Sequence, residues 1–439
     1  MPAIAWQGSP RPRMTSRRSP MTRITSVLGP GLLTGAADDD PSGIATYSQS
    51  GAQFGYALCW TMFLTTPFMV AVQIVSARIG SMTGRGLAAN LKEVLPPWLL
   101  YAVVALVAAA NIFNIAADIA AMGEAVRLIV GGPALVYVLL LGVGCLAAQI
   151  FIPYRPYAQC MKVLTLVLFA YVAAAFSIHI RWGEVLASTF IPRVTWDHDF
   201  ILMLVAVLGT TISPYLFFWQ ASLEVEERRI KERKKEAPLP SGAQSTAARF
   251  QPIVIDTWIG MALSNIVGFF IIVTTAATLH AHHVSNIGTA AEAAEALRPL
   301  AGPLAFFLFS LGIVGTGLLA IPALAGAAAY AIGETLGWKS SLGLRLGRAR
   351  GFYLIVGGAT LIGSLGAMSA VNPITMLVWS AVVNGIVAVP LMVGMMMTIT
   401  NRAIMGQFAA SRVLATFGWV ATLLMGLVVA ALLLTTVTG

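Results

Sequence analysis

Charge is what this sequence has least of. Asp, Glu, Lys and Arg make up 10% of its 439 residues, against about 25% in a soluble domain. A water-soluble globule is excluded on that ground. Cysteine is scarce as well. Cys59, Cys145 and Cys160 fall in or beside apolar runs, without metal-type spacing. That excludes a disulfide framework and a cysteine metal centre, and leaves packing. No glycine-rich phosphate loop is present, which argues against a primary pump in this chain. Residues 1–24 have no apolar core before Ile24, so they lack the usual layout of a cleavable signal peptide. Their Arg/Pro/Ser-rich composition predicts a disordered basic tail on the cytoplasmic side.

What is present is apolar. The hydrophobic share is 58% and the mean hydropathy +0.81. Runs of the ~20 residues needed to span a bilayer occur near 26–52, 54–77, 98–128, 133–153, 160–180, 200–222, 252–279, 303–333, 352–371, 374–399 and 413–437. This predicts an all-α membrane protein of eleven helices, a single transporter-sized domain over 25–437. With the N-terminus inside, all but four of the 27 basic residues fall in cytoplasmic segments. The four are Arg127, Arg181, Arg193 and Arg298. The positive-inside rule is met, with the C-terminus outside. The net charge of +9 is therefore topological and does not imply nucleic acid. The basic run Arg228 to Lys235 reads as a solvated loop near anionic lipid headgroups.

Two spans are interrupted. The first carries Asp38-Asp39-Asp40-Pro41-Ser42-Gly43 in mid-run. A charged residue at a helix centre costs about 2.5–3.5 kcal/mol on insertion scales. Pro41 removes a donor and disfavours helix before it. The pattern predicts a broken helix whose carbonyls and carboxylates face a wet cavity, a cation site. The sixth span breaks at Gly209-Thr210-Thr211-Ile212-Ser213-Pro214. Spans one and six head two five-helix sets, about 26–180 and 200–399. Matching breaks in two such halves point to a transporter site on inverted repeats.

The residues then resemble the Nramp divalent-metal transporters. Gly29-Pro30-Gly31-Leu32-Leu33, Asp40-Pro41 and Gly51-Ala52-Gln53-Phe54-Gly55-Tyr56-Ala57-Leu58 are similar to the family's first helix. Ala116-Ala117-Asp118-Ile119-Ala120 resembles the third. Ile255-Asp256-Thr257 and Asn401-Arg402-Ala403-Ile404-Met405-Gly406-Gln407-Phe408 fit the start of the seventh and the approach to the last. The resemblance implies a LeuT-type fold of five plus five helices and an eleventh, with a metal site between helices one and six. It implies Asp40 as a ligand, with the Ala37 and Thr210 carbonyls. There are departures. The family's Asp-Pro-Gly-Asn is Asp40-Pro41-Ser42-Gly43 here, so Gly43 stands in place of the Asn ligand. Its Met-Pro-His is Ser213-Pro214-Tyr215, so the soft sulfur and the His linked to proton movement are both absent. A further third-helix carboxylate is Ala121. The pattern is closer to the Nramp-related magnesium transporters.

An oxygen set of Asp40, Ser213, the two carbonyls and Ser42 suits hard cations such as Mg²⁺ or Mn²⁺. Asp38 and Asp39 add charge that draws a dication in, and three adjacent carboxylates offer a route to proton coupling. Coupling is not required: two charges moving inward gain about 4.6 kcal/mol per 100 mV. Asp118 is a candidate ion relay, as an intramembrane acid. Asn384 is another polar candidate, and Asn111 and Asn114 face the cavity or glue helices. His280, His282 and His283 read as an exposed turn, and Met392, Met395 and Met396 as a packing face. The expected protein is a bacterial inner-membrane importer of divalent metal, a monomer in lipid, not an enzyme, with no cofactor besides its cargo. The competing expectation is a symporter of small organic solutes of amino-acid type on the same fold.

Overall fold

The computed structural model describes residues 30–152, 166–233, 243–344 and 346–438. The tail 1–24, Cys160 and part of the basic run after Arg233 lie outside the described residues. Every regular element among the described residues is a helix, and the two expected breaks are present.

The first run forms α1 (Pro30–Asp38) and α2 (Pro41–Phe54). The cause of the break is local. Pro41 occupies the first helical position, where its missing N–H costs nothing, and it pushes Asp40 into extended backbone, φ −74° and ψ 169°. Asp40 thereby becomes the N-cap of α2 and accepts from the Gly43 amide at 2.8 Å. A 3₁₀ turn at Gly55–Leu58, begun by Gly55 at φ +58°, leads into α3 (Cys59–Thr83).

The chain continues through α4 (Pro97–Val130), α5 (Ala134–Phe151), α6 (Phe169–Ser177) and α7 (Trp182–Phe190). The sixth run is split as α1 and α2 are. Helix α8 (His198–Thr211) stops at Ile212, φ −120° and ψ 63°, and α9 (Pro214–Arg233) restarts on a proline. Then come α10 (Ala243–Thr278), α11 (Ala305–Thr335), α12 (Arg350–Gly366), α13 (Pro373–Thr400) and α14 (Arg412–Thr438).

Eight helical stretches among the described residues are long and apolar enough to cross a membrane. The eleven expected spans exceed this for three reasons. The stretch Pro41–Thr83 joins the second half of span one to span two, the described apolar part of span five is Leu166–Ser177, and α12 has 17 residues.

Burial sorts the helices. In the α8–α9 stretch 94% of the apolar window is inside the protein, against 17% for α5 and 28% for α14. The broken helices therefore form the centre, while α5 and α14 present Leu140, Val143 and Leu427 outward. An all-round apolar helix belongs in a core or in lipid.

Close helix packing fixes the broken halves. Helix α1 lies on α10 at Gly31, Gly35 and Gly260. A Cβ on Gly35 would fall 2.4 Å from the Gly260 carbonyl carbon. Asp256 of α10 accepts from the Gly31 amide at 2.7 Å, which caps the start of α1. Helix α8 crosses α13 where Gly209 meets Ala381 and Gly385. Small residues at such crossings let backbones approach. Cys59 and Cys145 are buried and free, as packing residues would be.

Candidate functional site

The two breaks meet in the interior, and Asp40 is at the meeting point with 2% of its surface exposed. Its two oxygens have different work. Oδ1 accepts from Ser42 Oγ at 2.7 Å and from the Gly43 amide at 2.8 Å. Oδ2 accepts from the Asn114 side-chain amide of α4 at 2.9 Å. The same Asn114 nitrogen is 3.4 Å from Oδ2 of Asp118, one turn along α4. Oδ1 of both Asn114 and Asp118 is buried without a protein partner.

Across the breaks, Tyr215 of α9 donates its hydroxyl to the Ala37 carbonyl at 2.7 Å. Ser213 donates to the carbonyls of Thr210 (2.8 Å) and Gly209 (3.0 Å). Both expected carbonyl positions, Ala37 and Thr210, thus carry one hydrogen bond and keep one lone pair each. The Ser213 oxygen keeps its own lone pairs. Ala37 and Thr210 lie in the last turns of α1 and α8, whose C-terminal ends carry partial negative charge. The halves are packed together at Gly43, where a Cβ would lie 3.0 Å from Thr210 Oγ1 and 3.5 Å from Asp40 Oδ1. Helix C-terminal ends beside a carboxylate suit a cation and repel an anion.

Asp38 and Asp39 do not join Asp40. Both turn to Ser264 of α10, whose hydroxyl is 2.5 Å from Asp38 Oδ2 and 2.8 Å from Asp39 Oδ1. Among the described residues no three His, Cys, Asp or Glu side chains come together as a metal-holding group. Asn384 of α13 is 1% exposed, and neither atom of its amide has a protein partner. Asn111 donates to the Leu324 carbonyl at 3.0 Å, holding α4 to α11. His280 bonds the Ala52 carbonyl at 2.8 Å, and Met392, Met395 and Met396 are fully buried packing residues.

A cavity of about 460 Å³ opens beside Gln49, Gln53, Asp199, Met203, Ile287 and Trp379. Gln49 lies nine residues along α2 from Asp40, roughly 14 Å at 1.5 Å per residue. Ser42, Thr46, Gln49 and Gln53 share one helical face by spacing, so a polar stripe joins the cavity to the break. At its upper end Gln49 accepts from the Ile287 amide at 2.9 Å and donates to the Ser285 carbonyl at 3.2 Å.

Local sequence gives no sign of three of these contacts. Asn114 reaches Asp40 from 74 residues away, Ser264 bridges from another helix, and Tyr215 closes onto Ala37. The one available signal was Asn114 standing a turn before Asp118 on an otherwise apolar run.

A family model described as Natural resistance-associated macrophage protein-like (Nramp) matches residues 31–435. The chain is 27% identical over 317 residues to a divalent metal cation transporter MntH of Pectobacterium carotovorum subsp. carotovorum, covering 69% of this chain and 71% of that protein. It is 28% identical over 321 residues to one of Yersinia enterocolitica, covering 70% and 71%. In structure it is similar to a manganese transporter of Eremococcus coleocola, with TM-score 0.72 and 16% identity, over 94% of this chain and 87% of that one. A nucleobase-cation-symport-1 family transporter aligns with TM-score 0.54 and 14% identity, over 94% and 93%. At these identities the structural likeness shows the fold alone, that of the Nramp and LeuT-type transporters.

Proposed function

Because the chain belongs to the Nramp family, we propose that it is a secondary importer of divalent metal cations, working by alternating access around Asp40. The observation that carries this reading is the buried contact between the two breaks, where Asp40 caps α2 and Tyr215, just past the second break, bonds the Ala37 carbonyl at the end of α1 at 2.7 Å. The ligand set is Asp40, Ser213 and the carbonyls of Ala37 and Thr210, with Ser42 and Gly43 holding the Asp40 carboxylate in place. All of these donors are oxygens, which favours hard ions such as Mg²⁺ and Mn²⁺ over softer ones. A hydrated Mg²⁺ keeps several waters and needs few protein ligands.

The membrane is the bacterial inner membrane, with the N-terminus cytoplasmic and the C-terminus outside, and the protein works as a monomer without a resident cofactor. The two repeats run about 26–180 and 200–399. The cavity at Gln49 and Trp379 is the outer vestibule, and the α2 stripe is the way in. Proton coupling is optional, since the membrane potential suffices to draw in a dication. Asp118, Asn384 and the Asp38–Asp39–Ser264 group are accessory.

The test is uptake by the purified protein in liposomes under a negative-inside potential, comparing Mg²⁺, Mn²⁺ and Ca²⁺ with an internal dye for pH. Saturable Mg²⁺ or Mn²⁺ entry supports the reading, and acidification that accompanies it would add a coupled proton. Flux of an amino acid with no metal flux would instead favour the organic-solute symporter.

A further inference from the structure

Asp40 has one oxygen to give. Its Oδ1 is fixed by Ser42 and Gly43 as the cap of α2, at 2.7 and 2.8 Å. Only Oδ2 faces elsewhere, and the group on it is the Asn114 side chain at 2.9 Å. A cation that reaches Oδ2 therefore meets Asn114. As the side chain stands, it turns an N–H donor to that place, while its own Oδ1 is buried without a partner. An unpaired buried acceptor is costly and calls for an explanation. The two ends of an amide are nearly the same size, so half a turn of the side chain exchanges them. Oδ1 would then stand where the nitrogen is, about the same distance from Asp40 Oδ2.

That distance has a meaning. Ligands around Mg²⁺ lie at about 2.0–2.1 Å in an octahedron. Neighbouring ligand oxygens are then about 2.9 Å apart, since the edge is √2 times the bond. The Asn114 nitrogen and Asp40 Oδ2 already have this spacing. The helix behind Asn114 is continuous over 34 residues, so the position is held firmly. At Gly43 the break has no side chain to compete. A Cβ at Gly43 would lie 3.0 Å from Thr210 Oγ1 and 3.5 Å from Asp40 Oδ1.

We propose that Asn114 is a direct ligand of the transported dication, its amide oxygen binding beside Asp40 Oδ2 after a half-turn of the side chain. The amide is a donor to Asp40 in the empty site and an acceptor-type ligand in the filled one. This rests on the transport reading above.

The test compares wild type, Asn114→Ala and Asn114→Asp for Mn²⁺ binding in detergent and for Mn²⁺ and Mg²⁺ uptake in liposomes. Each protein is first checked for monodispersity and thermal stability. Asn114→Ala is expected to raise the Kd and KM at least about tenfold, the lower end of what even an outer-shell partner costs. Asn114→Asp keeps an oxygen at the ligand position but has no N–H to donate. It is expected to bind Mn²⁺ closer to wild type than to Asn114→Ala. If Asn114 serves only as a donor to Asp40, Asn114→Asp binds as poorly as Asn114→Ala or worse, which overturns the proposal. Unchanged affinity in Asn114→Ala overturns it too. A wild type that carries no dication at all would instead remove the transport reading itself. Should Asn114→Ala not fold, the near-isosteric Asn114→Asp is read against wild type alone: a Kd raised less than about tenfold supports the proposal, and a larger rise overturns it.

Discussion

Removing the Tyr215 hydroxyl separates two roles of the Ala37 carbonyl. In the empty site that carbonyl accepts from Tyr215 at 2.7 Å. Tyr215→Phe leaves it unpaired in a fully buried place, which costs about 1–3 kcal/mol of stability. If Ala37 is also a cation ligand, the hydroxyl and the metal draw on the same carbonyl oxygen through its two lone pairs, and without the hydroxyl that oxygen gives its full electron density to the metal. The net worth of such a bond is about 0.5–1.5 kcal/mol, so the Kd should tighten by about two- to tenfold. The two effects have opposite signs. Thermal stability without metal falls, affinity rises, and saturating Mn²⁺ restores more stability to the variant than to wild type. The assay is thermal unfolding with and without Mn²⁺, beside a Mn²⁺ titration of the same preparation. Stability and affinity falling together, or an unchanged Kd with a lower stability, would refute Ala37 as a ligand.

Three further outcomes follow from the packing and the donor set. Ser213→Met replaces a hydroxyl oxygen by sulfur at the second break, and competition binding should shift toward Cd²⁺ over Mg²⁺; no shift means Ser213 does not touch the ion. Gly35→Ala places a Cβ 2.4 Å from the Gly260 backbone, and overpacking of this kind costs about 1–3 kcal/mol. Thermal unfolding should show the loss, with Gly144→Ala as the control, since a Cβ there meets nothing within 4 Å. Gln49→Leu removes the bonds to Ile287 and Ser285, and a cysteine introduced at position 287 should then label faster with a polar maleimide.

The breaks were legible because their causes are local. Pro41 and Pro214 each start a helix, and Asp40 is a capping residue placed before one of them. The polar donors at the breaks were legible for the same reason, and so were the lipid-facing helices, whose length and hydropathy are written in the sequence. The partners of the site residues were not. Asp38, Asp39 and Asp40 form one run in sequence, yet a helix ends between them. Asp40 therefore turns to α4, while Asp38 and Asp39 turn to Ser264 on α10. Asp40, read as the ligand, and Asp38 and Asp39, read as accessory charges, thus have different partners, Asn114 for the first and Ser264 for the other two. Asn114 and Tyr215 acquire their partners only when α4 and α9 pack against the breaks, and no spacing along the chain encodes that.

The most direct test of the central claim pairs wild type with Asp40→Asn in liposomes, under an imposed negative-inside potential, with Mn²⁺ and Mg²⁺ outside. Asn caps a helix as well as Asp does, so α2 keeps its start and the fold its stability. The negative charge at the crossing is lost, and the amide N–H that replaces Oδ2 faces the Asn114 side chain, whose half-turn presents its own oxygen as the acceptor; thermal unfolding of the variant checks that the fold is kept. The account predicts saturable metal uptake by wild type and none above background by Asp40→Asn. Wild-type rates in Asp40→Asn would contradict it.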